Sequence, residues 1–175
     1  MKQDQSTIVR DLLENTLYRM DENMRMVRKS FELLKEEDLW EKPNATSNSI
    51  GNLIVHLCGN MTQYVLAGLG GREDQRRRDE EFTINGGLTK AALMDKLTAV
   101  TSEVKQEIKG LTEEQLTGHY RVQGFDLSGT GILLHVVEHF SYHTGQIAFW
   151  IKLMKNRDLK FYEGFDLNAK NESEC

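Results

Sequence analysis

Three histidines at intervals of four stand in the run His135-Val-Val-Glu-His139-Phe-Ser-Tyr-His143-Thr-Gly-Gln146, in a chain with only five histidines. Residues four apart lie one turn apart on the same side of an α-helix, so neighbouring members of this ladder can face a common target. Neutral imidazoles in such a strip are the ligands a divalent transition metal takes. One ion cannot use the whole ladder. His135 and His143 are about 12 Å apart along a helix axis, whereas a metal–nitrogen bond is about 2 Å. The ion takes either His135 with His139 or His139 with His143.

The first pairing gives His135-x-x-Glu138-His139, the inverted zinc-protease pattern with Glu138 as base. It needs a further ligand, and its acidic candidates (Glu163, Asp166, Glu172, Glu174) lie in the C-terminal tail. The second pairing needs a ligand from another helix. An earlier helix offers His56 in a polar stripe with Asn52, Asn60 and Gln63. That stripe lies beside an apolar face of Leu53, Ile54, Leu57, Met61, Tyr64 and Val65. His119 falls in irregular chain and reads as an ordinary hydrogen-bonded histidine.

The elements that must position these residues are helices. Apolar spacing of three and four predicts them over about 6–36, 49–69, 89–110 and 129–155, followed by a tail over 156–175. Caps are expected from the Thr46–Ser49 cluster, Thr89, Thr112 and Ser128 or Thr130. The only proline, Pro43, ends the first segment. Residues 71–88 read as a charged loop anchored by Phe82 and Ile84. Residues 118–129 read as irregular chain with a short extended piece over 120–125. Phe161, Tyr162 and Phe165 are expected to dock the tail. Four long helices without a strong strand signal predict one all-α domain over 1–175, a helix bundle.

A net charge of −5 and a pI near 5.6 argue against a nucleic-acid partner. The run Arg76-Arg77-Arg78, set among Glu73, Asp74, Asp79, Glu80 and Glu81, reads as a solvated, salt-bridged loop. Cys58 and Cys175 build neither a disulfide framework nor a C-x-x-C site. Cys58 is expected to be a small buried hydrophobe and Cys175 an exposed thiol. With no bilayer-length apolar run and no basic-then-apolar leader, the chain reads as cytoplasmic.

The lone histidine of Ile54-Val55-His56-Leu57, paired with Glu138-His139-x-x-x-His143-x-Gly145-Gln146, resembles the DinB/YfiT-like superfamily of metal-dependent helical-bundle proteins. The stretches His56–Gly71 and Arg76–Phe82 resemble one bacterial branch of it. The resemblance implies a four-helix bundle of up-down-down-up connectivity, which the long connections 71–88 and 111–128 suit. It implies His56, His139 and His143 as metal ligands, with His135 and Gln146 lining the pocket. Zinc or nickel is the expected ion. Relatives of this kind include thiol-dependent S-transferases and hydrolases, which points to a low-molecular-weight thiol or another small molecule as substrate. The rival reading is a non-catalytic bundle whose site is vestigial and whose apolar first and fourth helices make a homodimer.

Overall fold

A computed structural model describes residues 6–170. Helix α1, Thr7–Phe31, starts where Ser6 accepts a hydrogen bond from the Val9 amide. It buries Val9, Leu13, Met20, Met24, Val27 and Phe31 along one stripe. The helix stops at Phe31, short of the expected 36. Leu33 and Leu34 bond back only three residues, to Ser30 and Phe31, and a 3-10 turn follows at Glu36–Asp38.

Helix α2, Ile50–Met61, opens on a capping box in which Ser49 and Asn52 satisfy each other's backbone amides. Such a cap contributes about 1 kcal/mol. The helix runs on as a π-helical segment, Thr62–Leu69, and the Gly70 amide bonds to Val65 five residues back. The connection expected to be a loop contains a short helix, α3, Arg78–Thr83. Helix α4, Lys90–Lys109, is capped by Thr89, and α5, Glu113–Thr117, by the Thr112–Gln115 box.

The expected extended piece over 120–125 is instead a hairpin. Strand β1, His119–Val122, pairs antiparallel with β2, Phe125–Ser128. Gln123 and Gly124 both have positive φ, 51° and 83°, the backbone of a tight hairpin turn. Helix α6, Gly129–Lys155, has its predicted bounds, with Ser128 as N-cap and Asn156 in the left-handed conformation at its end. In the tail, Leu159 and Phe161 pack on the core, whereas Tyr162 and Phe165 stay exposed.

The four long helices form a bundle in which α1 and α2 each pack against both α4 and α6. Side-chain pairings give the directions. Arg28 meets Thr98 and Asp21 meets Lys105, so α1 and α4 run antiparallel. His56 meets His139 and Asn60 meets His135, so α2 and α6 do too. Trp40 reaches the Leu88 carbonyl before α2 and α4 begin, and Arg72 reaches Glu103 near where they end. Those two helices are parallel, which gives the up-down-down-up order. The core holds Tyr64, Phe140, Met20, Ile54, Leu57 and Leu97, each essentially inaccessible. Among the described residues, no helix is long and apolar enough to cross a membrane.

Candidate metal centre

Antiparallel packing of α2 on α6 brings His56 against the middle of the histidine ladder. The Nε2 atoms of His56 and His139 lie 3.0 Å apart, and those of His143 and His139 lie 3.1 Å apart. One ring nitrogen from each of His56, His139 and His143 falls within 4.8 Å of the other two. Two nitrogens about 2 Å from one tetrahedral ion are themselves about 3.3 Å apart, so this donor set fits a divalent metal. His56 and His143 are buried, and His139 is half-buried.

The outer ring nitrogens set the tautomers. His143 Nδ1 lies 2.6 Å from the Gln146 side-chain oxygen, which can only accept, so Nδ1 carries the proton and Nε2 is bare. His56 Nδ1 lies 2.8 Å from Glu81 Oε2, which likewise holds the proton on Nδ1. The Nε2 atoms of His56 and His143 therefore both point at His139 Nε2. His139 completes the set, and its Nδ1 is buried without a partner. Burial pushes the His139 imidazolium down to about 3, helped by the neighbouring His143 and His56. Burial also pushes His143 down to about 4, although the bond to Gln146 opposes it. Neutral imidazole is the form that ligates a metal.

Glu81 belongs to α3 and is buried with Arg76. Arg76 grips it with two bonds, Nε to Oε1 at 2.7 Å and Nη2 to Oε2 at 2.8 Å. Burial works to raise the Glu81 carboxyl, but the bonds from Arg76 and His56 outweigh it and hold it below its usual range. Arg76 also donates to Gln63. The expectation of a solvated arginine run is thus corrected: Arg77 and Arg78 are exposed, but the Arg76 side chain is only 3% accessible. Removing one partner of such a buried pair strands the other charge, which is why both are present together.

His135 stands outside the group of three. Its Nε2 lies 3.2 Å from the Asn60 amide nitrogen, and its ring stacks on Tyr64 at 4.1 Å between centroids. Burial lowers its pKa as well. Tyr64 in turn donates to Gln123 at the hairpin turn. Glu138 is exposed, so the His135–Glu138–His139 grouping of the inverted protease pattern is not assembled. Of the polar stripe on α2, Asn60 and Gln63 border the site. Asn52 instead ties α2 to the Glu81 and Ile84 carbonyls. Phe82 lies against His56 at 4.7 Å, and the exposed Tyr142 meets His143 edge-on.

His119 is exposed and pairs with Asp126, as an ordinary surface histidine does. Cys58 is buried, and burial pushes its thiol up to about 12, far from a reactive thiolate. Cys175, Glu172 and Glu174 lie outside the described residues.

The chain belongs to the DUF1572 family, described as a protein of unknown function, whose profile matches residues 7–163. No curated protein matches it. Solved structures share its DinB-like fold. One is a DinB-like protein from Bacillus cereus ATCC 10987, 15% identical, with a TM-score of 0.65 over 85% of this chain and 93% of that one. A second is a variant of the mycothiol-dependent maleylpyruvate isomerase, 14% identical, with a TM-score of 0.64 over 77% of this chain and 60% of that one. A third is the colibactin self-resistance protein ClbS in complex with dsDNA, 15% identical, with a TM-score of 0.59 over 82% and 95%. The expectation that nucleic acid is no partner is not supported by these comparisons.

Proposed function

We propose that this DUF1572 protein is a metal-dependent enzyme acting on a small molecule, with a divalent ion, zinc or nickel, held by His56, His139 and His143. The convergence of three imidazole nitrogens within 4.8 Å carries this reading. An ion held by three uncharged ligands keeps its full charge and supplies the Lewis acidity that acidifies a bound thiol or water. A thiol-dependent group transfer is the preferred reaction, supported by the fold shared with a mycothiol-dependent isomerase. Hydrolysis uses the same site with water in place of the thiol.

The chain's own residues supply positioning and proton handling. Glu81 and Gln146 fix His56 and His143 with Nε2 free. His135 presents an Nδ1 with no protein partner among the described residues, beside His139. It is the group placed to hold or move a proton during reaction, because Glu81 is committed to Arg76 and Glu138 faces solvent. Phe82 packs on His56 and Tyr142 on His143, which gives the metal-binding nitrogens aromatic neighbours on two sides.

The decisive assay gives the protein a low-molecular-weight thiol and an electrophilic bimane. Conjugation that requires zinc or nickel and fails after His143→Ala supports the transferase. Metal-dependent ester or amide cleavage without thiol moves the assignment to a hydrolase. Neither activity in metal-loaded protein overturns the enzyme reading.

A second reading concerns assembly. Leu134, Tyr142, Phe149 and Leu153 are each more than 60% exposed and share a sector of about 100° on α6. We infer that this face pairs two copies of the chain, since an apolar strip of this kind marks an association surface.

A further inference from the structure

We propose that Gly59, Arg76 and Glu81 form a positioning device that presents His56 to the metal, with the missing side chain of Gly59 as the feature that admits the carboxylate. The inference rests on the metal reading of the three histidines.

Gly59 lies one turn beyond His56 on α2, inside a helix, where glycine is less favourable than alanine. Its backbone is ordinary α-helix, so no turn or positive φ calls for glycine. Space does. A Cβ at this position would sit 2.0 Å from Glu81 Oε1, 2.9 Å from Glu81 Cδ and 3.0 Å from Arg76 Nε. The bare Cα lets the carboxylate lie against α2, where Oε2 accepts a hydrogen bond from His56 Nδ1–H and Oε1 accepts one from Arg76 Nε.

Each part depends on the others. Without Arg76 the carboxylate would be a buried lone charge, and without Glu81 nothing fixes which nitrogen of His56 carries the proton. Arg76 Nη2 also approaches His56 Nδ1 at 3.2 Å, farther than the 2.8 Å to Glu81. Loss of Glu81 would leave Arg76 as the neighbour of Nδ1. Arginine can only donate, so the proton would move to Nε2 and cap the atom that should ligate. A carboxylate behind a ligating imidazole also raises its basicity, and such partners set metal affinity by about 10–100-fold.

Gly59→Ala is a clean probe, because the atom in the way is the end of a flexible side chain. The carboxylate can swing into a cavity of about 480 Å³ bordered by Gly59, Thr62, Lys96 and Val100. The backbone need not move.

The experiment compares the parent, Gly59→Ala, Glu81→Ala and the double variant, with Glu81→Gln as a variant that keeps the volume. Far-UV circular dichroism checks the fold. Two readouts are taken: the His56 tautomer from imidazole ¹⁵N NMR, and nickel or zinc affinity from competition titration. The parent should show the proton on His56 Nδ1. Gly59→Ala and Glu81→Ala should each lose that signature and bind metal about 10–100-fold more weakly. The double variant should match Glu81→Ala alone, because the added Cβ then meets no carboxylate. Glu81→Gln should fall between parent and Glu81→Ala in affinity.

An unchanged tautomer and affinity in Gly59→Ala, or effects that simply add in the double variant, would overturn the device. If the tautomer responds as expected but the parent takes up no metal, the device stands and the metal reading falls.

Discussion

His143 donates its Nδ1 proton to the Gln146 side-chain oxygen across 2.6 Å, one turn further along α6. The bond does for His143 what Glu81 does for His56: it keeps the proton on the outer nitrogen and the lone pair on Nε2. Gln146 is exposed, so it serves the site without serving the core. Gln146→Leu should leave the fold intact and weaken zinc or nickel binding about tenfold. Competition titration beside circular dichroism reads both. Equal affinity in the variant would mean that the bond does not orient the ligand.

Acid should destabilise the protein through the same histidines. His139 and His143 are held at about 3 and about 4 in the fold, below the 6.5 of a free imidazole. The unfolded chain therefore binds more protons over this interval, and stability rises with pH. Their contribution is complete above about pH 6.5 and is lost as pH falls from there toward 4 and 3. Urea unfolding in the presence of a chelator should show midpoints that drop over that window. His139→Gln should flatten the drop. Parallel pH profiles in the two proteins would contradict the assignment.

His135 separates binding from chemistry. It stacks on Tyr64 and meets Asn60 but stands outside the converging three. His135→Gln should retain metal and lower turnover by about 10²–10⁴-fold, the range of a lost proton-transfer group. Loss of metal together with activity would instead make His135 a ligand.

Much of this arrangement was legible because it rests on local rules. Ser49, Thr89, Thr112 and Ser128 cap their helices as their types require. His56 meets His139 because two polar stripes border apolar faces that must pack. Arg76 and Glu81 were not legible as site residues. In sequence they sit in a charge run that reads as solvated, and their burial depends on each other, on His56 and Gln63, and on the room left by Gly59. The resemblance of Arg76–Phe82 to a bacterial branch was the one pointer to them. The hairpin was half legible. Gly124 marks a turn, but Gln123 takes a positive φ that its type does not advertise. The first helix ends at Phe31 although Leu33 and Leu34 continue the apolar spacing, because the chain tightens into three-residue bonds there.

The exposed strip on α6 predicts an oligomer. Phe149 and Leu153 are 69% and 62% accessible and one turn apart, more than one turn beyond His143 along α6. Phe149→Glu combined with Leu153→Glu should shift the protein from dimer to monomer in size-exclusion chromatography with light scattering. Metal content should not change. A parent that is already monomeric at high micromolar concentration would rule the pairing out.

Of the three histidines proposed to hold one divalent ion, His139 is the member that touches both others. The most direct test is elemental mass spectrometry of protein purified without a histidine tag, beside His139→Ala. About one equivalent of zinc or nickel per chain in the parent, absent from a folded variant, is the predicted result. A parent that remains free of metal after incubation with excess zinc and nickel would contradict it.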